Sequence, residues 1–221
     1  MDEQLILSIF MIIGIDLVLG GDNAIVIALA CRNLPESKRS QAILFGTILA
    51  VVCRIILTIV AVYLLQIPFL QLIGGIFLLY IAFSLLTGED NRHTIRSPNS
   101  LRRAIQTIVV ADIVMGFDNT IAIAGAANGH ILLVIFGLVI SIPIIVWGSG
   151  IILHAMNRFP LLIYGGGGIL AFTAGKMIAA DKTFHAFFLQ DPAIIFSLPY
   201  MTTGFIIFGA LFYEQIKKPS T

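Results

Sequence analysis

The chain has 221 residues, of which 58% are hydrophobic and only 11% charged, with a net charge of +1 and a mean hydropathy of +1.01. A water-soluble domain carries about 25% charge, so there is too little polar surface here to clothe a soluble globule, and the composition indicates an integral membrane protein. The near-neutral balance, with Lys and Arg scattered over short loops, excludes a nucleic-acid-binding surface. Cys31 and Cys53 are 22 residues apart with no CxxC and no Cys/His cluster, so they read as small apolar helix residues without a redox or zinc signal.

Met1-Asp2-Glu3-Gln4 leads straight into a long apolar run without a basic leader or an Ala-x-Ala site, which predicts a retained first span and not a cleaved signal peptide. A membrane-crossing helix needs about 20 mostly apolar residues. Seven such spans are predicted, at 5–31, 39–63, 68–87, 104–127, 131–154, 160–180 and 192–214. The runs are continuously apolar and lack period-two alternation, which excludes a β-barrel and predicts an all-α membrane protein. Along the chain the loops carry three, zero, four, zero, one and one basic residues, and the C-terminal tail two, so alternate segments hold ten against one. That asymmetry places the N-terminus outside and the C-terminus in the cytoplasm.

The polar stretch 88–103 is the longest loop and reads as a cytoplasmic linker between unit one (5–87) and unit two (104–180), with 192–214 as a seventh span. One motif occurs in both units. Asp16-Leu17-Val18-Leu19-Gly20-Gly21-Asp22-Asn23-Ala24 is matched by Asp112-Ile113-Val114-Met115-Gly116-Phe117-Asp118-Asn119-Thr120, each pair 96 residues apart. Gly74-Gly75-Ile76-Phe77 likewise resembles Gly167-Gly168-Ile169-Leu170, at an offset of 93. Three spans per unit is an odd number, so the second unit must run opposite to the first. That predicts two inverted three-helix repeats, with a site near the midplane between them.

An ionised Asp at the bilayer centre costs at least about 2.5–3.5 kcal/mol, so such residues face a protein interior or a water-filled cavity and need partners. Seven residues fall just short of two helical turns. Asp16 therefore shares a stripe with Asn23, and Asp112 with Asn119, and the glycines Gly20 and Gly116 lie on those stripes. Asp22 and Asp118 join them only where the preceding glycines break the helix, and Phe117 in place of Gly21 makes that break milder in the second copy. The candidate metal ligands are thus Asp16, Asp22, Asn23, Asp112, Asp118 and Asn119. All are hard oxygen donors that suit Mg²⁺, Ca²⁺ or Mn²⁺. The competing reading makes them helix caps and inter-helix hydrogen bonds in a packed bundle. Arg54 and Lys176 are candidate charge partners. Arg54 reads equally as a counter-ion gating the empty site or as a snorkelling base, and Lys176, near the outer end of span six, as a snorkelling one. Gly150 stands 96 residues after Arg54, so the two halves are not chemically equivalent. His154 and His185 fall at span ends, and His93 and His130 in loops. The run Gly165–Gly168 lacks the GK[ST] of a phosphate loop and reads as close helix packing or a flexible start to its span. Pro143 is expected to kink span five.

The pair DLVLGGDNAIVIALA and ADIVMGFDNTIAIAGA, with the GGIFLLY and TAGKMI segments, resembles the TerC family of integral membrane proteins over residues 5–214. That resemblance implies two inverted three-helix units and manganese export, with roles in supplying metal to secreted enzymes; the family's name comes from tellurium resistance. It also implies that Asp16, Asp22, Asn23, Asp112, Asp118 and Asn119 bind the ion. Family members tend to carry a lysine late in span three, where this chain has Ser84, which leaves Lys176 alone. Tellurite is an oxyanion that a carboxylate-lined site repels, so a tellurite phenotype would act through metal balance.

The function expected from these features is divalent metal-ion transport by alternating access. The resemblance implies that the ion is Mn²⁺, that it is exported and that the membrane is the bacterial cell membrane. Proton exchange is one energy source open to it, the coupling ion not being fixed. The metal is cargo, and no cofactor is expected. No enzyme is expected either, since neither a nucleophile beside a base nor an HExxH motif is present. The rival is a membrane scaffold for secretion machinery or tellurite resistance, with structural Asp pairs. The bilayer and the divalent ion are the expected partners; membrane or secretion partners and a homo-oligomer remain open, as does channel against carrier.

Overall fold

The computed structural model describes residues 3–19, 21–64, 67–87, 101–126, 131–181 and 191–217. Eight helices occur among them: α1 (Glu3–Leu19), α2 (Gly21–Cys31), α3 (Glu36–Leu64), α4 (Leu70–Thr87), α5 (Leu101–Ala126), α6 (Ile131–Arg158), α7 (Leu161–Ala180) and α8 (Pro192–Lys217). The protein is an all-helical, multi-pass membrane protein. Of the described residues, α3, α4, α6, α7 and α8 are each long and apolar enough to cross a bilayer, and α1 with α2 makes a sixth span if the pair, bent by 48°, counts as one. The predicted spans number seven. The one outside this set is the fourth, α5, which carries Asp112, Asp118 and Asn119. The linker 88–100, the segment 182–190 and the histidines His93, His130 and His185 lie outside the described residues.

The first predicted span is two helices. α1 ends at Leu19 and α2 starts at Gly21, as consecutive glycines allow, since they lose the most backbone entropy on folding and have the weakest helix preference after proline. The second copy of the motif stays helical throughout, inside α5. A single glycine flanked by Met115 and Phe117 does not interrupt it.

The helices gather into two compact units that cut across the sequence halves. The first takes residues 1–67 and 99–155; the second takes 68–98 and 156–221. The first unit therefore holds α1, α2, α3, α5 and all but the last turn of α6. Its core is a cluster of Ile12, Val51, Ile123, Leu133, Val134 and Leu138. Two glycines let helices approach closely there. A Cβ on Gly46 of α3 would come within 2.7 Å of Ile108 of α5, and one on Gly137 of α6 within 2.9 Å of the Cβ of Ile12 in α1. Ile12 and Ile108 are themselves 96 residues apart, each four residues before the first Asp of its motif.

The second unit holds α4, α7 and α8, and its contacts run through glycine too. A Cβ on Gly75 of α4 would lie 2.8 Å from the Ala174 carbonyl, and one on Gly175 of α7 would lie 2.6 Å from Cα of Pro199 in α8. The run Gly165–Gly168 is interior to α7, with Gly166, Gly167 and Gly168 buried, so it serves packing. Asp181, just past α7, is buried and accepts a 3.1 Å hydrogen bond from the Leu72 N–H in the first turn of α4. Tyr164 donates to Glu214 Oε2 at 2.7 Å, tying α7 to α8.

Large apolar side chains remain on the outside, including Phe45, Trp147, Leu161 and Phe205 at 55%, 72%, 80% and 77% exposure. In water such patches would be liabilities; in a bilayer they meet acyl chains.

Candidate functional site

At the centre of the first unit a guanidinium joins two carboxylates. Arg54 sits within the apolar stretch of α3 that follows its polar first turns, and its side chain is 1% exposed. A lone base at that depth would be expensive, but two elements supply its counter-charges. Arg54 Nη1 donates to Asp16 Oδ1 of α1, and Nη2 to Asp112 Oδ1 of α5. Asp16 is fully buried and Asp112 nearly so. Each terminal nitrogen of the planar group thus serves one copy of the repeated motif. Charge-assisted bonds of this kind are roughly twice as strong as neutral ones.

The surroundings explain how three ionic groups fit there. Ser141 of α6 donates its hydroxyl to Asp16 Oδ2, occupying the oxygen Arg54 leaves. A Cβ on Gly116 would stand 3.9 Å from Arg54 Nε, an ordinary van der Waals distance, so α5 passes directly alongside the guanidinium. Thr58 donates to the Arg54 carbonyl at 2.8 Å, one turn on in α3.

A cavity of about 10 Å³ adjoins this cluster, with Asn23, Thr47, Arg54 and Asp112 as its polar lining and Ile108 and Ile145 among its apolar walls. That is the room one water or one small ion needs. The polar lining is under-used. Among the described residues, Asn23 Oδ1 and Nδ2, Thr47 Oγ1, Arg54 Nε and Asp112 Oδ2 are buried without a hydrogen-bond partner. By formal count the two carboxylates and one guanidinium leave a charge of −1.

The six predicted ligands are placed as follows. Asp16 and Asp112 meet at Arg54. Asn23 is 5% exposed and lines the cavity with Asp112. Asp22 lies in the first turn of α2, half-buried, where a negative charge complements the helix N-terminus. Asn119 is buried; both it and Asp22 are engaged in interactions. The side chain of Asp118 lies outside the described residues. Among the described residues, no three Asp, Glu, His or Cys groups converge as they would around a metal ion; the two that do converge hold Arg54. Lys176, on α7 in the second unit, is exposed, with its ammonium 6.0 Å from the centre of the Phe172 ring.

Thr47 and Ser141 were not legible as site residues. Each is one of several hydroxyls in its span, and a serine or threonine in a helix commonly bonds back to the preceding turn. The available signal was spacing: Ser141 falls four residues after Gly137, on the stripe that packs against α1.

The chain matches the family described as "Integral membrane protein TerC family" over residues 1–219. It is 50% identical to "Uncharacterized membrane protein YjbE" of Bacillus subtilis (strain 168) over 218 residues, covering 99% of this chain and 100% of that protein. It is 26% identical to "Uncharacterized membrane protein YkoY" of the same organism, over 73% of this chain and 57% of that one. It is 24% identical to "UPF0053 inner membrane protein YoaE" of Escherichia coli (strain K12), over 84% of this chain and 39% of that one. No solved structure matches.

Proposed function

The chain belongs to the integral membrane protein TerC family, and we propose that it is a divalent metal-ion transporter of the plasma membrane, exporting Mn²⁺ from the cytoplasm by alternating access. The observation that carries this reading is the buried pair Asp16 and Asp112, one from each copy of the motif, gathered around a single cation, the Arg54 guanidinium. Carboxylates that hold an organic cation at membrane depth have the charge and the donors for an inorganic one. Asn23 and Thr47 add neutral oxygens beside them, and such a set suits hard divalent ions over soft ones. Asp22, Asp118 and Asn119 complete the proposed binding set at some stage of the cycle.

In this reading α1 with α2 forms one broken span and the continuous helix α5 a further span, which makes seven, with the N-terminus outside and the C-terminus in the cytoplasm. Matched contacts support the inverted repeat. Gly46 packs on Ile108, and Gly137 on Ile12, so the second span of each proposed repeat meets the first span of the other. Broken helices at midplane sites are a recurrent device of such transporters, because the break frees backbone groups for the ion. Release of the metal leaves carboxylates that take up protons, which couples export to proton entry. No enzymatic activity is assigned.

The fully buried Arg54 cluster also favours a second reading, a scaffold in which the ionic group is structural glue. Cytoplasmic Mn²⁺ separates the two. Cells expressing the wild type should hold less Mn²⁺ than cells expressing Asp16→Asn or Asp112→Asn at equal membrane abundance. Equal Mn²⁺ in all three would sink the transporter reading and leave the scaffold.

A further inference from the structure

We propose that Arg54 is a built-in competitor for the transported cation, and that displacing it recruits Thr47 as an additional metal ligand. This rests on the cation-transport reading above. The guanidinium lies between Asp16 and Asp112 and gives each one terminal nitrogen. A metal ion bridging the same carboxylates would need the same gap, so the two occupants exclude each other.

The oxygens that Arg54 does not use mark where the exchange leads. Asp112 Oδ2, Asn23 Oδ1 and Thr47 Oγ1 are buried and without a partner among the described residues, and all three residues line the cavity beside the guanidinium. Exposures of 7%, 5% and 2% leave bulk water little access to these groups. A buried polar group without a partner is destabilising. The Arg54-filled state therefore keeps a standing penalty that a hard cation removes, because such a cation takes oxygens from Asp16, Asp112, Asn23 and Thr47 together.

Charge gives the exchange its selectivity. Seated Arg54 leaves the cluster at −1. A monovalent ion that expels it restores the same charge and gains nothing by Coulomb attraction, while a divalent ion brings the two carboxylates to neutrality. Arg54 thus sets a threshold that divalent ions pass and monovalent ions do not. The apparent affinity is the intrinsic one scaled by the fraction of molecules with Arg54 displaced, so a population of 10% or less weakens it at least tenfold.

The test is metal-dependent thermal stabilisation of the purified full-length protein in detergent, titrated with MnCl₂ and, separately, NaCl at matched ionic strength. Wild type should respond to Mn²⁺ only. Arg54→Gln should respond at an Mn²⁺ midpoint at least tenfold lower and acquire a response to Na⁺. Arg54→Lys keeps the charge but cannot give one nitrogen to each carboxylate from a fixed fork; its midpoint should fall between the two, and it carries the test if Arg54→Gln does not fold. Thr47→Val should raise the Mn²⁺ midpoint several-fold. A wild type that responds to Mn²⁺, with the Arg54 variants at its own midpoint, overturns the competitor and leaves the transport reading standing. No response to Mn²⁺ in any variant overturns both.

Discussion

Removing the charge of Arg54 should be among the most damaging single changes in the protein, and removing the whole ionic cluster much less so. The magnitude follows from burial. Arg54, Asp16 and Asp112 are 1%, 0% and 7% exposed, so Arg54→Met leaves two carboxylates facing each other without a counter-ion. It also deletes two hydrogen bonds to charged groups, each worth about 1.5–3 kcal/mol. Breaking a buried ion pair from one side costs about 3–5 kcal/mol, in line with that sum. For a chain of this size a destabilisation of 1 kcal/mol lowers the melting temperature by roughly 2–4 °C, so the single variant should melt roughly 6–20 °C below wild type. The triple variant Arg54→Met, Asp16→Asn, Asp112→Asn keeps the shapes and removes every charge, and replacing a whole buried ion cluster is often close to neutral. It should recover at least half of the loss. The assay is thermal unfolding of the purified protein in chelator, so that no divalent ion fills the gap. The reasoning fails if Arg54→Met stays within about 1 kcal/mol of wild type, or if the triple variant is no more stable than the single one.

Glycine packing supplies the next tests, read by the same unfolding assay. Gly46→Ala brings a methyl to 2.7 Å from Ile108 Cδ1 and should cost about 1–3 kcal/mol; Ile108→Val removes that atom, so the double variant should be more stable than the two single losses predict. Gly175→Ala meets Pro199 Cα at 2.6 Å, which is backbone and cannot turn aside, so its loss should exceed that of Gly46→Ala. Gly165, also inside α7, has nothing within 4 Å, and Gly165→Ala should stabilise by about 0.5–1 kcal/mol through helix preference alone. Asp181→Ala removes the acceptor for the Leu72 N–H and should cost about 0.5–2 kcal/mol, whereas Asp181→Asn, which keeps an acceptor oxygen, should cost less.

Helix positions were legible because a membrane helix is written as a continuous apolar run, and its ends are marked by the polar residues that cannot enter. Span 68–87 and α4, or span 160–180 and α7, differ by one or two residues. The break in the first span was legible from Gly20-Gly21; Phe117 pointed to a milder break in the second copy, and α5 runs through it without one. Long-range pairing was not. Arg54 meets Asp16 across 38 residues and Asp112 across 58, and in α3 a buried counter-ion and a snorkelling base look alike, since both are one Arg in a run of Val, Ile and Leu. The two compact units also cross the loop that divides the sequence. No local signal reports that α4 packs with α7 and α8 while α3 packs with α5, because the apolar stretches of these helices do not differ in any way that names a partner.

The apparent chemical inequality of the halves has a geometric resolution. Counted in motif register, the residue opposite Arg54 is Gly150. Counted by the matched glycine contacts, it is Ile145, because Arg54 follows Gly46 by eight residues and Ile145 follows Gly137 by eight. Ile145 lines the same cavity as Arg54, so in the proposed inverted repeat the two sit across its pseudo-axis. Two arginines there would crowd each other and leave a surplus of positive charge. One suffices because the guanidinium has its own local two-fold axis: its terminal nitrogens are equivalent and point to opposite partners. A single planar cation near the axis can therefore satisfy a carboxylate from each repeat. A metal ion at the same place meets the same condition, since one central charge is equidistant from both. In the proposed repeat two aspartates would then share one cation, and by that argument the second half has a place for apolar Ile145 where the first has Arg54.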